Sequence, residues 1–561
     1  MDKEFMTIDG VEVELNGERN ILEVARKAGI DIPAFCYDPE LSIYGACRMC
    51  VFENERGGID ASCSAQPRAG MVIKTNTPRL RKYRKMVLEL LLANHCRECT
   101  TCSKSNNCKL QEFALRYNLT DVRFPNSAKE GGADNSSLSI VRNPNKCILC
   151  GKCVRMCNEV QNVGAIDYGF RSSKMKIVTA FDGEIANSPC VGCGQCAAVC
   201  PVGAIVVKDD SETVWDALGD NNTEVSVQVA PAVRVALGKE LGLKEGEPLM
   251  GRLVSALRKM GFDKVYDTSL GADMTVLEEA SELLARLKNG GKFPMFTSCC
   301  PAWIKYAEQK YPDLLKNIST CRSPMEMFAS VIKNEYKGEK KHLHVAIMPC
   351  TAKKFEAKRE EFITKDGSEA VDIVLTTQEI VKMIKSAGID FASLNCGTPD
   401  SPFEEITGAG VIFGVTGGVT EAVLRYASKD KSAKALEAIS YVGVRGLNGV
   451  KEATVNIAGK DLKIAVVSGL KNASELIDGI KNGKLWYDFV EVMSCPAGCI
   501  NGGGQPRAEY YDRALRAEGI YKADEAEVKR ASDENEEVKA ILAGMDEHKK
   551  HELLHTSYKA R

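Results

Sequence analysis

Two copies of one cysteine spacing constrain the fold of this chain more than any other feature of its sequence. Each copy reads C-x2-C-x2-C-x3-C, and the copies run from Cys147 to Cys157 and from Cys190 to Cys200. The chain has 23 cysteines, and sixteen of them lie between Cys36 and Cys200. Disulfide scaffolds are usually short and secreted, whereas cysteines two residues apart can place several thiolates around one small inorganic core. The sequence therefore predicts metal ligation in its N-terminal third.

Length and composition set the broad class of protein. With 561 residues, 44% hydrophobic and 27% charged, the chain has room for about three to five domains and is typical of globular proteins. Its net charge of −2 gives no reason to expect nucleic acid or an anionic membrane as a partner. The N-terminus has no apolar signal-peptide core, and no apolar run approaches the length of a membrane span. We therefore expect a cytoplasmic protein with no membrane segment.

The paired cysteine runs resemble the two-cluster domain of bacterial ferredoxins. In such domains the fourth cysteine of each run binds the other cluster. One 4Fe-4S cluster would take Cys147, Cys150, Cys153 and Cys200. The other would take Cys157, Cys190, Cys193 and Cys196.

An earlier group of cysteines follows a strand–turn–strand–helix pattern that includes an Asn-Gly turn and the amphipathic stretch ILEVARKAG. Its members are Cys36, Cys47, Cys50 and Cys63. Ten, two and twelve residues separate them, which is not the spacing of plant ferredoxins. The pattern resembles the beta-grasp 2Fe-2S domain at the N-terminus of large redox subunits. A zinc site is the alternative, since it also uses four thiolates.

A second group follows the helical run RKYRKMVLELLLANH. Its spacing allows two ligand sets that share Cys99, Cys102 and Cys108, and the fourth ligand is either His95 or Cys96. The spacing H-x3-C-x2-C-x5-C resembles the His/Cys3 4Fe-4S module that follows a 2Fe-2S domain in complex I and in iron-only hydrogenases. The resemblance implies His95, and an imidazole in place of a thiolate should raise the potential of that cluster.

From about Thr223 onward, short apolar segments alternate with helical stretches, which predicts an α/β domain with a mostly parallel sheet. Three of the strand-like segments end in cysteine loops, which read TSCCPAW, MPCTAKKFE and EVMSCPAGCINGGGQP. Ligands bind outside the carboxyl ends of strands in such folds. Three loops from three strands could therefore converge on one metal site.

The three loops resemble the signature motifs of iron-only (FeFe) hydrogenases. Together with the cysteine groups before them, they resemble the monomeric clostridial type over essentially the whole chain. The resemblance implies a multidomain fold of mixed α+β and α/β class. We expect a beta-grasp 2Fe-2S domain at residues 1–78, a helical His/Cys3 module at 79–120, a two-cluster ferredoxin domain at 138–209 and a large α/β catalytic domain at 210–561.

The resemblance also implies a catalytic H-cluster in the last domain. This cofactor joins a 4Fe-4S cube to a diiron subsite that carries CO, cyanide and an azadithiolate. The expected ligands of the cube are Cys300, Cys350, Cys495 and Cys499. The expected neighbours of the subsite are Pro231, Met348, Met493, Lys353 and Glu356. Cys499 would bridge to the subsite, and Lys353 would donate to a cyanide.

Protons must reach such a buried centre, and the resemblance implies a path for them. Cys299, which is adjacent to a ligand but is not one, would exchange protons with the amine of the subsite. The path would continue through Glu279, Ser319, Glu282 and Arg286. Three of these residues are spaced i, i+3 and i+7, so a helix would place them on one face. The alternative interpretation of that face is a solvated stripe of charges.

These motifs together imply an enzyme that interconverts protons and hydrogen, 2H⁺ + 2e⁻ ⇌ H₂. We expect a monomer that exchanges electrons with ferredoxin or flavodoxin and receives its subsite from maturation proteins. The alternative is a non-catalytic redox sensor or electron-transfer subunit. Ala302, Met325 and Ala232 depart from the usual motifs, and the unassigned Cys321 and Cys396 are expected to be small buried side chains.

Overall fold

The computed structural model describes residues 3–126, 131–363, 367–428, 443–457 and 460–561. The chain forms two compact units. The smaller unit comprises Met1–Val160, Gly164–Ser188 and Val199–Val206. The larger unit comprises Gln161–Val163, Pro189–Ala198 and Val207–Arg561. Within the described ranges, no helix is both long enough and apolar enough to cross a membrane.

The smaller unit begins with a five-stranded sheet in the spatial order β2-β1-β5-β3-β4. Its strands are β1 (Phe5–Ile8), β2 (Val11–Glu14), β3 (Val51–Asn54), β4 (Ile59–Ala61) and β5 (Val72–Lys74). Asp9 and Gly10 both have positive φ, which is the geometry of the tight turn that an Asp-Gly pair makes between antiparallel strands. Strand β1 pairs antiparallel with β2 and parallel with β5, as a beta-grasp fold requires.

Helix α1 (Ile21–Lys27) packs its apolar side against this sheet. Asn20 begins the helix, because its side chain accepts a hydrogen bond from Glu23 N at 3.1 Å. Ile21 and Leu22 are fully buried in one core with the strands. The expected beta-grasp fold is thereby confirmed for this region.

The other elements of the smaller unit are short. Its helices are α2 (Pro78–Ala93), α3 (Lys109–Arg116) and α4 (Lys152–Arg155). The remaining strands are β6 (Ile140–Arg142), β7 (Asp167–Gly169), β8 (Lys176–Val178) and β9 (Ile205–Val207). They form two pairs, β6 with β9 and β7 with β8.

Two separate four-stranded sheets form the framework of the larger unit. The first has the order β11-β10-β13-β14 and is wholly parallel. Its strands are β10 (Thr223–Val229), β11 (Lys264–Asp267), β13 (Lys341–Met348) and β14 (Ile373–Thr376). The second has the order β12-β17-β16-β15 and is parallel except for the edge strand β15. Its strands are β12 (Met295–Phe296), β15 (Val450–Ile457), β16 (Lys460–Ser468) and β17 (Phe489–Met493).

Helices cover these sheets and connect their strands. They are α5 (Gln195–Ala198), α6 (Ser211–Leu218), α7 (Met250–Met260), α8 (Ser269–Asn289), α9 (Pro301–Lys310), α10 (Pro324–Glu335), α11 (Ala352–Glu356), α12 (Thr377–Ser386), α13 (Gly408–Val411), α14 (Gly418–Ala427), α15 (Leu470–Lys481), α16 (Tyr510–Ala526), α17 (Glu536–Ala543) and α18 (Glu547–Leu554). Val227 of β10 and Val345 of β13 are fully buried, as parallel strands covered on both faces require. The expected mixture of α+β and α/β structure is confirmed.

One buried cation ties α2 to the cysteine loop of the beta-grasp domain. Arg84 is only 2% exposed. Its guanidinium donates to Met49 O at 3.0 Å and to Val51 O at 2.6 Å. These carbonyls flank Cys50, so the helix fixes the backbone on both sides of a predicted iron ligand.

We predict that Arg84→Met weakens this loop, because two buried carbonyls lose a charged donor while an apolar stem is retained. Each such hydrogen bond contributes about 1.5–3 kcal/mol. The EPR signal of the 2Fe-2S cluster should therefore disappear at lower urea than in the parent protein, with the 4Fe-4S signals unaffected. Arg81→Met, at an exposed position of the same helix, is the matched control. If the 2Fe-2S signal disappeared at the same urea concentration in both variants, Arg84 would not be what holds the loop.

Candidate metal centre

The three cysteine loops of the larger unit follow the carboxyl ends of strands. Cys300 follows β12, Cys350 follows β13, and Cys495 follows β17. The hydroxyl of Ser494 lies 3.5 Å from Cys300 Sγ and 3.7 Å from Cys495 Sγ. Burial raises the pKa of Cys350, and the charges of Cys495, Cys300 and Cys499 raise it further. The four thiols therefore form one electrostatically linked group.

Glycines let the last of these loops pass close to its neighbours. Gly498 has a φ of +84°, and a Cβ there would lie 2.5 Å from Thr416 N. A Cβ on Gly502 would lie 2.1 Å from Pro349 O. A side chain at either position would displace the loop that carries Cys499, so only glycine fits.

A cavity of about 70 Å³ lies beside these thiols. Residues that the motifs place around a diiron subsite line it, namely Pro231, Met348, Lys353 and Met493. Cys299, Cys350 and Cys499 also line it. Lys353 is the one charged side chain among the residues that line this cavity.

Lys353 is a fixed cation in this apolar lining. Its Nζ donates to Glu356 Oε2 at 2.6 Å and to Cys299 O at 3.3 Å. Burial lowers the pKa of Lys353, but Glu356 together with the charges of Cys350 and Cys299 more than offsets this, and the net effect is a raised pKa. A permanent ammonium suits a small anionic ligand such as cyanide, and thiolates suit iron. The residues present therefore fit the cofactor that the motifs imply.

The residues of the expected proton path lie on α8 and on the segment that follows α9. Ser319 Oγ donates to Glu282 Oε2 at 3.0 Å, and Arg286 Nη2 donates to Glu282 Oε1 at 2.5 Å. Glu279 is 1% exposed, and its carboxyl oxygens have no hydrogen-bond partner in the part of the chain that is described. Burial and then the charge of Glu282 raise the pKa of Glu279 to about 8. Burial and then the charge of Glu279 raise the pKa of Cys299.

This face of α8 is not the solvated stripe of the alternative interpretation. The side chains of Glu282 and Arg286 are 16% and 14% exposed, and Glu279 is buried. Glu279 is buried and the other two side chains are partly exposed, so the face leads from the interior toward the surface.

Two polar residues near this path were not among those that the sequence motifs indicated. Thr320 donates to Glu282 Oε2 through its N–H at 3.0 Å and its hydroxyl at 3.2 Å. His555 Nδ1 lies 3.0 Å from Thr320 Oγ1, 235 residues away in the chain. Only the tertiary structure brings these two groups to the path.

The motifs also did not indicate Glu326, which lies near Glu356 and Lys353. It is fully buried with no partner for its oxygens among the described residues, and burial followed by the charge of Glu356 raises its pKa to about 8.

The two unassigned cysteines of the larger unit differ in exposure. Cys321 is fully buried, as expected. Cys396 is exposed, so the prediction that it is a buried side chain is wrong. Its loop is held over α7 by backbone atoms, since Ser255 Oγ donates to Asn395 O at 2.8 Å and Gly397 N donates to Gly251 O at 2.8 Å.

In the smaller unit, the cysteines of the beta-grasp domain lie together. Cys36 contacts the thiols of Cys47 and Cys63, and Cys50 contacts that of Cys63. The backbone N–H groups of Cys47 and Ala46 point at Cys36 Sγ. The neighbouring thiols and these N–H donors lower the pKa of Cys36 and favour its thiolate, which is the form that binds iron.

The His/Cys3 module contains a histidine with a free ring nitrogen. His95 is 7% exposed, and its buried Nε2 has no partner in the described ranges. Its Nδ1 accepts from Arg97 N at 3.2 Å and lies 4.0 Å from Cys96 Sγ. An unpartnered buried nitrogen fits a metal ligand, and iron at Nε2 would leave the ring proton on Nδ1 and lengthen the contact with Arg97.

The four cysteines predicted to bind one 4Fe-4S cluster line a cavity of about 600 Å³ in the smaller unit. They are Cys147, Cys150, Cys153 and Cys200. Across the described residues, no three or more His, Cys, Asp or Glu side chains lie close enough together to hold a single metal ion. The other predicted set of the ferredoxin-like runs has members in both units and stays a prediction.

Models of known protein families match consecutive parts of the chain. The iron only hydrogenase large subunit, C-terminal domain, matches residues 223–503, and the iron hydrogenase small subunit matches 509–561. A 2Fe-2S iron-sulfur cluster binding domain matches residues 5–78. The NADH-ubiquinone oxidoreductase-G iron-sulfur binding region matches 84–123, and a 4Fe-4S dicluster domain matches 146–204.

Two similar proteins extend over nearly the whole chain. The NADP-reducing hydrogenase subunit HndD of Solidesulfovibrio fructosivorans is 40% identical over 99% of this chain and 98% of its own. Iron hydrogenase 1 of Clostridium pasteurianum is 38% identical over 98% of this chain and 99% of its own. Among solved structures, a variant of FeFe hydrogenase HydA1 from Chlamydomonas reinhardtii is 37% identical with a TM-score of 0.56, and the match covers 63% of this chain and 99% of that one.

We predict that the stability of the Glu279→Gln variant, compared with that of the wild-type protein, increases as pH rises. The pKa of Glu279 is about 8 in the folded protein against an ordinary value of 4.5. The wild-type protein is therefore fully stabilised below pH 4.5 and loses up to about 5 kcal/mol as pH rises through 8, because the folded carboxyl resists ionisation. Thermal unfolding of both proteins at pH 5 and pH 8.5 measures the difference. Glu518→Gln on the surface of α16 is the control, and a pH-independent difference for Glu279→Gln would contradict the prediction.

We predict that His95→Ala abolishes one 4Fe-4S EPR signal, whereas Cys96→Ala leaves every signal in place. His95→Cys should retain that cluster at a lower potential, because a thiolate adds negative charge. Anaerobic redox titrations followed by EPR measure both effects. The reverse pattern, with loss in Cys96→Ala and none in His95→Ala, would assign the all-cysteine set.

The matches to hydrogenases cover both the accessory modules and the region that contains the thiol-lined cavity. They support clusters of the 2Fe-2S and 4Fe-4S types and an H-cluster domain. The chain therefore belongs to the iron-only (FeFe) hydrogenase family and is a hydrogenase with accessory iron–sulfur domains.

Proposed function

We propose that this hydrogenase catalyses reversible proton reduction, 2H⁺ + 2e⁻ ⇌ H₂, at a site in the larger unit. The observation that carries the proposal is the small apolar cavity that adjoins the buried thiols, contains one fixed cation and reaches Cys299. The proposed ligands of the H-cluster are Cys300, Cys350, Cys495 and Cys499. When bound, this cluster supplies the redox centre at which protons and electrons combine.

The side chains around the cavity bind and orient the cofactor. Lys353 holds its anionic ligands, and Glu356 fixes the position of Lys353. Pro231, Met348 and Met493 form an apolar wall that excludes water. Exclusion of water strengthens the interactions of the Lys353 charge, because the local dielectric constant is low.

Protons would reach the cavity through Cys299, which lines it. Cys299 Sγ holds the proton nearest to the cavity, and Glu279 exchanges it. With a pKa of about 8, Glu279 can bind or release a proton near neutral pH. Ser319 Oγ donates to Glu282 Oε2 and lies near enough to Glu279 to interact with it, so it would carry protons between the two carboxyl groups, and Arg286 fixes the Glu282 carboxylate.

Three residues that depart from the usual motifs make this region more apolar. Met325 and Ala232 line the cavity, and Ala302 is fully buried. Met325 and Ala232 accept hydrogen bonds through their backbone carbonyls. Gln228 Nε2 donates to Met325 O at 3.0 Å, and Gln505 Nε2 donates to Ala232 O at 2.9 Å. We propose that these residues alter potential and oxygen sensitivity and leave the reaction unchanged.

The cysteine groups of the N-terminal third and His95 would hold four accessory clusters, which are one 2Fe-2S cluster and three 4Fe-4S clusters, one of them with His/Cys3 ligands. These clusters would supply electrons to the site. The proposed modules are residues 1–78, 79–120, 138–209 and 210–561. We propose ferredoxin or flavodoxin as the electron carrier of a monomeric cytoplasmic enzyme, with maturation proteins as transient partners. The name of HndD favours one alternative, in which the same reaction runs in a complex that exchanges electrons with NADP.

Hydrogen production by the loaded protein tests this function. Anaerobically purified protein with its iron–sulfur clusters would be loaded with the diiron subsite, and hydrogen would be measured with reduced viologen as donor. Hydrogen at enzymatic rates supports the proposal. No hydrogen, with infrared bands of CO and cyanide showing a bound subsite, would favour a sensor or electron-transfer subunit.

We predict that Cys299→Ser lowers turnover by roughly 100-fold or more, since a serine hydroxyl is a far weaker acid than a thiol and positioned proton transfer contributes about 10²–10⁴-fold. Cluster content and the infrared bands of the subsite should not change. Cys396→Ser, at an exposed cysteine of the same unit, is the matched control. Turnover at the wild-type rate in Cys299→Ser would remove Cys299 from the proton path.

A further inference from the structure

The outer end of the proposed proton path cannot be Arg286. Its Nη1 donates to Asn317 O at 3.0 Å and Lys292 O at 3.4 Å, and its Nη2 donates to Ile318 O at 2.9 Å and to Glu282. An arginine side chain has no acceptor and is not deprotonated in proteins. Arg286 therefore holds Glu282 in place and cannot pass a proton to it.

Glu282 has one other contact that leads outward. Its Oε2 accepts from Ser319 Oγ on the inner side and from the N–H and hydroxyl of Thr320. Among the groups that contact Glu282 in the described structure, only these two hydroxyls can both accept and release a proton. Ser319 lies on the side of Glu279, so the protein groups that could pass a proton to Glu282 from outside lead through Thr320. This route would act beside water at the Glu282 side chain, which is 16% exposed.

His555 is the next group beyond Thr320. Its Nδ1 lies 3.0 Å from Thr320 Oγ1, and its Nε2 lies 3.3 Å from Glu278 Oε2. The side chains of His555 and Glu278 are 16% and 18% exposed, so water reaches them. A histidine can take a proton on one ring nitrogen and release another from the second.

The backbone holds His555 in this position. Thr556 N donates to Thr320 O at 2.7 Å, and Arg322 N donates to Leu554 O at 2.8 Å. Arg322 Nε also donates to His555 O at 3.1 Å. These hydrogen bonds pair the end of α18 with the segment that follows Ser319, and they hold the His555 ring against Thr320.

We propose that His555 exchanges protons between solvent and Glu282 through the hydroxyl of Thr320. In the inward direction, a proton from water or Glu278 binds His555 Nε2, and the ring releases its Nδ1 proton to Thr320 Oγ1. Thr320 in turn transfers its own hydroxyl proton to Glu282 Oε2. One proton enters and one reaches Glu282. Rotation of the Thr320 hydroxyl and exchange of the ring proton with water, which returns His555 to its Nδ1-protonated form, restore the starting arrangement.

The inference rests on the proposed function, since it extends the path from Glu282. Hydrogen evolution by the fully loaded enzyme distinguishes a failure of the path through Glu282 from a failure of the role of His555. Turnover at the wild-type rate in Glu282→Gln would overturn the proposed path itself. Slow turnover in Glu282→Gln together with wild-type turnover in His555→Ala and Thr320→Val would overturn only the role of His555.

We expect the turnover rate to fall by roughly tenfold or more in His555→Ala and in Thr320→Val. Thr320→Ser keeps the hydroxyl and should retain the wild-type rate. His548→Gln is the matched control, since that ring lies on the same helix and is 82% exposed. Added imidazole should restore His555→Ala but not Thr320→Val, because only the first variant lacks the imidazole. Absence of rescue in His555→Ala, with normal cluster content, would contradict proton transfer by this ring.

The pH profile and a spectroscopic measurement provide independent readouts. The charged or titratable groups around the ring are Glu278 and, through Thr320, Glu282 of α8, together with Arg322 and the stacked His551. His555→Ala should change the dependence of turnover on pH.

In protein that carries its iron–sulfur clusters but no subsite, ¹⁵N resonances of the His555 ring should shift in Thr320→Val and stay unchanged in His548→Gln. An unchanged His555 resonance in Thr320→Val would show that the hydrogen bond between Thr320 and His555, on which the proposal depends, is absent.

Discussion

Burial of several thiols beside one another is the physical constraint on which the larger unit depends. Burial raises the pKa of Cys495 to about 11, and it also raises the pKa of Cys350 and Cys499. Each of these thiols raises the pKa of another, yet iron binds the thiolate form. The positive charge of bound iron resolves this conflict, so binding of the cofactor and stability of this region are coupled. The close approach at Gly498 and Gly502 keeps the loops near enough for that coupling.

The site separates charges that stay fixed from groups that titrate. Lys353 remains a cation because it is paired with Glu356 and its net pKa is raised. Arg286 carries a guanidinium, which is not deprotonated in proteins, and it donates to Glu282. Glu279, by contrast, has a pKa of about 8 and no hydrogen-bonded partner among the described residues, so its charge can change near neutral pH. Permanent charges orient ligands and neighbouring carboxylates, and the titrating group moves protons.

Local features of the fold could be predicted from the sequence, and distant pairings could not. The turn at Asp9 and Gly10 and the close cysteine steps are set by neighbouring residues, so their patterns are visible in the chain. The division of the larger unit into two sheets depends on pairings such as β12 with β17, which join segments almost 200 residues apart. The contact of Thr320 with His555 has the same origin. Cys396 was predicted to be buried because cysteines usually are, but its loop is held at the surface by backbone hydrogen bonds.

Voltammetry of the subsite-loaded protein on an electrode tests the central claim most directly, because it needs no soluble carrier and examines both directions of the reaction. The account predicts a catalytic current for proton reduction and, under hydrogen, a current of opposite sign, with both lost in Cys299→Ser that retains its clusters. No catalytic current of either sign, with the subsite shown to be bound by its infrared bands, would contradict the assignment of the thiol-lined cavity as the site of hydrogen chemistry.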